Sequence, residues 1–404
     1  MGFQQGLAGL NAAARNLDVI GNNVANTNTT GFKSARAEFA DVYATSLASS
    51  VNTAGIGVAV ADLSQQFTQG DLTTTNNSLD IAINGGGFYR LSNNGSISYS
   101  RNGQFKLDKD GFIVNAQNLK LTGYAANADG VVNGGVPQEI RLDTSDIAPR
   151  SSATAQVGLT LDARVPAATV PFSIADGTSY AGGTSLSVYD SLGREHDMAL
   201  YFRKTADNSW DVHGSVDGTE LVGSLGTLNF NTDGSLNAAT SNVPMNVTVP
   251  VGADAGGTQV VALSMPDATQ FGSEFSVSSL QQDGYAPGRL AGFSVSPDGT
   301  IQTRYTNGET LARGRIALAN FTNPQGLMSM GGNQWSETAE SGQPLVGSPG
   351  SGTMGILQSG ALESSNVDLT AELVNMITAQ RVYQANAQTI KTNDQLLQTI
   401  VNLR

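Results

Sequence analysis

The sequence predicts a mixed fold: α-helical, coiled-coil-like paired termini with two mainly-β domains of sandwich or barrel type, the second inserted in the first. Three observations carry this expectation. Both ends repeat apolar or small residues in alternating steps of four and three. The centre alternates short β-branched or aromatic runs with Asn-Gly and Asp-Gly turns. Composition shifts near 145–150 and again near 285, as two crossings into and out of an inserted domain would require.

The N-terminal seam is Phe3, Leu7, Leu10, Ala14, Leu17, Gly21 and Val24. The C-terminal seam is longer: Leu369, Leu373, Met376, Tyr383, Ala387, Ile390, Leu397 and Val401, with Gln380 and Asp394 at two further positions. Ser364, Ser365 and Asn366 offer an N-cap before it, and Asp368 and Glu372 suit its first turns. Neither helix can bury such a stripe alone. One reading is an intramolecular two-helix hairpin. The other is that the stripes meet copies of themselves in an assembly, which the polar seam positions favour because buried polar groups set register. The ends are close to neutral, +1 over residues 1–40 and 0 over 366–404, so they can crowd together, whereas the middle carries −14 and stays solvated.

Between the ends, Ile97–Tyr99, Phe112–Val114, Leu186–Tyr189, Met198–Phe202, Val247–Val251 and Gln259–Ser264 read as strands. Asn94-Gly95, Asn102-Gly103, Asp110-Gly111, Asp217-Gly218, Asp233-Gly234, Asp298-Gly299 and Asn307-Gly308 read as the turns between strands. Residues 341–360, rich in Gly, Ser and Pro, read as an extended linker. The resulting plan has a helical assembly segment over 1–30 and an extended connection over 31–70. An inner β-domain follows over 71–145, interrupted by an outer β-domain over 146–284. The inner domain and a linker resume over 285–360, and a second helical assembly segment closes the chain over 361–404.

Composition excludes much chemistry. The chain has no cysteine, which removes disulfides, thiolate metal sites and thiol catalysis. Its net charge of −13 argues against nucleic acid, because phosphate binding needs clustered Lys and Arg. No apolar run is long enough to span a membrane as a helix. The N-terminus has neither a basic n-region nor an apolar h-region, so no cleaved secretory signal is expected. No Gly-Lys pair, H-E-x-x-H or G-x-S-x-G is present. His196 and His213 lack an accompanying nucleophile and read as exposed surface residues. Aligning Gly111 to the sixth position of a calcium loop puts Lys106 first and Gln117 twelfth, where carboxylates are needed, so Asp110-Gly111 is a turn. Gly85-Gly86-Gly87 precedes a strand rather than a helix and reads as a close backbone approach. No catalytic residue, cofactor or metal is expected, and the chain is not read as an enzyme.

The most specific stretch is Asp18–Lys33, a helix end dissolving into Asn, Thr and Gly, whose side chains compete for backbone groups. Gly31 permits a positive φ and Phe32 provides an anchor. Its pattern of Asn22, Asn23, Ala25, Asn26, Thr29, Gly31, Phe32 and Lys33 resembles the signature of the bacterial flagellar rod and hook family. Leu79–Ile83 with Gly85–Phe88, Tyr99–Phe105 with Asp110-Gly111, Ser365–Leu369 and Gln380–Asn386 are similar to further motifs of that family. These motifs lie within roughly 1–145 and 285–404. Rod members lack a sizeable insert, so the central segment and the stretch Asp283–Pro297 resemble the hook branch.

That resemblance implies a structural subunit that assembles with itself into a flexible curved tube, a universal joint carrying motor torque to the filament. It implies export by the flagellar type III apparatus and an extracellular place in the hook and basal body. It also implies contacts with a hook cap, the distal rod protein and a hook–filament junction protein. The assembly interface would be Phe3, Leu7, Leu10, Leu17, Val24, Leu369, Leu373, Met376, Tyr383, Ile390, Leu397 and Val401. The alternatives are a rod, or drive-shaft, subunit and, in a different class, a β-rich surface adhesin.

Overall fold

The computed structural model describes residues 2–42, 55, 57–127 and 130–402. It is mostly β, with one long helix at each end. The described residues fall into two compact units. The first comprises residues 1–144, 292–304 and 310–404, and the second 145–291 with 305–309.

In the first unit, α1 (Gly2–Ala25) is followed by β1 (Ala35–Val42) and β2 (Gly57–Gln65). These strands form an antiparallel ribbon with Ala35 opposite Gln65, Val42 opposite Gly57 and a bulge at Glu38/Phe39. Next come β3 (Leu72–Thr74), β4 (Ile81–Asn84), β5 (Phe88–Asn93) and β6 (Ser96–Ser100). The chain's return lies beside its outward path. Residues Ala361–Glu363 pair antiparallel with β3, and Ile356–Ser359 pair with β4. Strand Leu345–Gly347 pairs with Leu318–Asn320. The stretch read as a linker over 341–360 therefore contributes two strands to this unit, because its apolar positions Val346 and Leu357 pack into the cores.

The core of the first unit gathers Ile81, Ile83, Tyr89, Leu91, Ile113, Leu121, Ile316, Leu318 and Leu357. Beside it, Phe67, Phe88, Tyr99, Phe321 and Trp335 meet edge to face, the favoured arrangement of aromatic quadrupoles. Asn94 and Gly95 both have positive φ, 49° and 98°, and form the tight turn between β5 and β6. Asn102-Gly103 differs from its expected reading as a hairpin turn. A Cβ on Gly103 would lie 1.6 Å from the Ile81 carbonyl oxygen, so glycine is required there for close backbone approach.

The second unit contains two five-stranded sheets. One holds Thr154–Asp162, Met245–Pro250, Thr258–Ser264, Thr269–Phe271 and Ser276–Gln282, with parallel as well as antiparallel pairing. The other is an antiparallel meander built on Gly182–Tyr189, Glu195–Ala206 and Ser209–Val216. Alternate residues of Glu195–Ala206 are buried, the period of a strand with one core face. Val157, Leu159, Leu161, Val188, Leu200, Phe202, Trp210, Val247 and Leu263 from both sheets share one core.

The two histidines are partly buried rather than exposed. His196 Nδ1 lies 2.7 Å from Asp217 Oδ2, and His213 stacks on Phe172 with centroids 4.1 Å apart. Their strands present them to neighbouring side chains, a neighbourhood no local pattern announces. Burial, the dominant effect, pushes the His213 imidazole below its ordinary value, opposed by the Asp211 carboxylate.

Candidate assembly surface

α1 and α2 (Leu369–Asn402) run antiparallel. Gly6 lies beside Ile390, Gly9 beside Asn386 and Asn23 beside Glu372, so numbers rise along one helix as they fall along the other. The side chain of Asp368 caps α2, accepting bonds from the N–H groups of Thr370 (2.9 Å) and Ala371 (3.1 Å). The cap is thus Asp368 and not the earlier Ser364, Ser365 or Asn366. Asn366 is engaged with Ser34 and Gln66, Ser365 Oγ accepts from the Val367 N–H outside the helix, and Glu363 just before them is still in a strand.

On α1 the seam by which the helices meet is displaced by one residue from the one the sequence suggests. Gly6, Gly9, Ala13, Ile20 and Asn23 keep the steps of three, four and seven, and they are small, polar or buried. Their small size is the physical reason: a Cβ on Gly9 would lie 2.7 Å from Asn386 Oδ1, and one on Gly6 3.0 Å from Ile390 Cγ1. On α2 the half-buried or buried residues with described side chains are Glu372, Met376, Ala379, Asn386, Ala387, Ile390 and Asn393, of which Met376, Ala387 and Ile390 lie on the seam the sequence suggests.

The larger apolar residues are left mostly uncovered. Phe3, Leu7, Leu369, Leu373, Tyr383 and Leu397 are exposed, whereas Leu10, Leu17, Val24, Met376 and Ile390 are half-buried. The side chain of Val401 lies outside the described residues. Val374, Ile377, Val382 and Leu396 add to the exposed apolar surface of α2, although heptad reading did not select them.

Below the helices, the Asn/Thr/Gly stretch forms a joint. Asn23 is buried and acts as a surrogate strand. Its Nδ2 donates to the Ala35 carbonyl (2.8 Å) and to Glu372 Oε1 (2.9 Å), while its Oδ1 accepts from the Ala35 N–H (3.0 Å). Asn366 repeats the device, accepting from the Ser34 N–H (2.7 Å) and donating to the Gln66 carbonyl (2.7 Å). Asn26 Nδ2 donates to Asn22 Oδ1, and Thr29 Oγ1 donates to Asn26 Oδ1, which fastens the turn after α1. Gly31 has φ +69° and donates its N–H to the Glu363 carbonyl (2.8 Å). Phe32 is half-buried and Ala25 is exposed.

The joint closes on a buried ion cluster. Lys33 Nζ donates to Glu363 Oε1 (2.6 Å) and to the Thr68 carbonyl (2.7 Å), and both charged side chains are fully buried. Arg101 Nε lies 3.5 Å from Glu363 Oε2, and the same guanidinium donates to the Gly85 carbonyl (2.8 Å). Burial pushes the Lys33 ammonium and the Arg101 guanidinium below their ordinary values, and Glu363 opposes the shift in each. Arg101 lies in the Tyr99–Phe105 stretch that resembles a family motif, whereas Glu363 was not selected from the sequence, since a single charged residue in β-rich context carries no periodic signal. Among the described residues, no group of three or more His, Cys, Asp or Glu is placed to hold a metal ion.

Comparison with known proteins agrees with this anatomy. Residues 3–33 match the family described as Flagella basal body rod protein, and 358–403 match Flagellar basal body rod FlgEFG protein C-terminal. Residues 82–177 match Flagellar hook protein FlgE/F/G D1 domain, and 160–285 match Flagellar basal body protein FlaE D2 domain. The fold and these matches define a protein of the flagellar rod and hook class. The chain is 46% identical over its full length, and the whole of the relative, to "Flagellar hook protein FlgE" of Escherichia coli (strain K12). It is 45% identical, again over both full lengths, to the protein of that name from Salmonella typhimurium, and 31% identical over 99% of this chain and 98% of the relative to that of Treponema pallidum. The crystal structure of Helicobacter pylori flagellar hook protein FlgE2 shares the fold, with a TM-score of 0.56 at 13% identity, covering 72% of this chain and all of that one. The chain belongs to the flagellar hook protein FlgE family.

Proposed function

We propose that this protein is the structural subunit of a bacterial flagellar hook, assembling with itself into a flexible curved tube that passes motor torque to the filament. The observation that carries the reading is the uncovered apolar surface of the paired terminal helices. Val374, Ile377, Leu396 and Leu397 are each more than half exposed in a single subunit, on a helix with few charges. Large apolar side chains left bare along a helix in this way mark an interaction site. Full-length identity to hook proteins favours the hook over the rod.

In this reading, residues 1–30 and 361–404 are the assembly segments, and Phe3, Leu7, Leu369, Leu373, Tyr383, Leu397 and Val401 bury against neighbouring copies, which complete the burial of Leu10, Leu17, Val24, Met376 and Ile390, already half-covered in one subunit. Residues 146–284 form an outer domain inserted in an inner one. The second compact unit carries a net charge of −10, as a solvated outer layer should. Export by the type III apparatus, placement outside the cell, and contacts with a cap, the distal rod and a junction protein belong to the same proposal. Negative-stain electron microscopy of concentrated protein tests it: curved tubes are expected. Straight tubes would indicate a rod, and protein that stays monomeric would contradict assembly.

A further inference from the structure

α2 is longer than the helix it packs against. At 1.5 Å per residue, the 34 residues of α2 span roughly 51 Å and the 24 of α1 roughly 36 Å. The pairing of Gly6 with Ile390 and Gly9 with Asn386 places Gly2 close to Asp394. Residues 395–402 therefore have no α1 residue alongside. Within this overhang Leu396 and Leu397 are 56% and 57% exposed, and no residue is charged.

The same unit holds an open, mainly apolar groove of about 840 Å³ along α1, between α2 and the β1–β2 ribbon. Gly9, Ala12 and Asn16 contribute to its α1 wall, with Val382 of α2 and Phe39 and Val58 of the ribbon beside them. Small side chains along α1 leave room for a helix end. Among the described residues that line it, Arg36 and Glu372 are the charged ones and are of opposite sign, so a neutral occupant suits it. The overhang of the same chain cannot reach the groove: Leu397 lies roughly 16 Å along a continuous helix beyond Asn386, the last groove residue on α2.

We infer that the C-terminal end of α2 from one copy seats in the groove between α1, α2 and the β1–β2 ribbon of a second copy. This rests on the reading of the chain as a self-assembling hook subunit and names the contact by which one copy holds the next. It joins two features that are each incomplete in a single subunit: a neutral helix end bearing exposed leucines, and an open, mainly apolar groove without net charge among its described lining residues.

The chain's lack of cysteine makes disulfide trapping a clean test. Asn16→Cys and Leu397→Cys are introduced together, and the purified protein is polymerised, oxidised and run on a non-reducing gel. A disulfide needs the two Cβ atoms within about 4.5 Å, so it forms only if the helix end is in the groove. The expected result is a reducible ladder of linked copies from the polymer. Its yield should exceed by about tenfold that from the monomer or from an Asn16→Cys/Gln388→Cys control, because assembly raises the local thiol concentration. Val19→Cys with Leu396→Cys serves as a second pair should the first assemble poorly. Tubes that give no ladder above the control with either pair would overturn the docking contact. A parent protein that forms no tubes would instead overturn the hook reading beneath it.

Discussion

Glu363 is one buried carboxylate facing two cations, and it comes from the C-terminal segment while Lys33 and Arg101 come from the N-terminal half. Removing the negative partner of a buried cluster leaves uncompensated charge, which costs about 3–5 kcal/mol. Glu363→Gln should therefore lower the urea midpoint of the first unit. Fluorescence of Trp335, which lies in that unit, reports it once Trp210 is replaced by Phe. A midpoint within error of the parent would contradict this role. Replacing Lys33, Arg101 and Glu363 together by Met, Met and Leu should recover much of the loss, since apolar side chains of similar volume often substitute for a buried ion cluster. In the second unit, burial holds the His213 imidazole below its ordinary 6.5. Below about pH 6.5 the unfolded chain binds the extra proton more readily than the folded one, so the stability of this unit is full above that pH and falls as pH drops through it. His213→Gln should flatten that slope, measured by Trp210 emission in a Trp335→Phe background. An unchanged slope would assign the dependence to other groups.

At the scale of elements, the helix pair shows which surface a subunit keeps for itself and which it leaves open. Ile377 is exposed, whereas Ile390 is half-buried against Gly6. Ile377→Asp should leave the thermal unfolding of the isolated subunit unchanged yet block polymerisation, read by sedimentation. Ile390→Asp should damage both, because it places a charge at the contact between α1 and α2. Equal effects of the two substitutions on the isolated subunit would remove the distinction between inner and outer seams. Helical ends, β-texture and turns such as Asn94-Gly95 were legible because period, β-branching and Asn-Gly chemistry are local. The α1 side of the inner seam was not, since heptad reading weights large aliphatic residues while Gly6, Gly9 and Asn23 make the close contact. Gly103 was misread for a related reason: close approach to the Ile81 carbonyl and a positive-φ turn both call for glycine, and only the fold separates them. Glu363 and Arg101 lie 262 positions apart and meet only through tertiary structure.

At the scale of the whole molecule, the chemistry is divided by charge and by exposure. The second unit holds −10 of the total −13, whereas residues 366–404 are neutral overall and present bare aliphatic side chains. Like charges keep a surface solvated, and neutral apolar surfaces associate, which is the basis for the proposal that the ends of the chain carry the assembly contacts. The most direct test is to end the chain at Gln395 and compare it with the full-length protein by sedimentation and negative-stain microscopy under polymerising conditions. This removes Leu396 and Leu397, whose burial in an assembly is worth about 1.5–3 kcal/mol each, so a loss of several kcal/mol per subunit is expected. Full-length protein should form tubes, and the shortened chain should remain monomeric with both β-units unfolding at their usual temperatures. Tubes formed by the shortened chain would contradict the assignment of assembly to the paired termini.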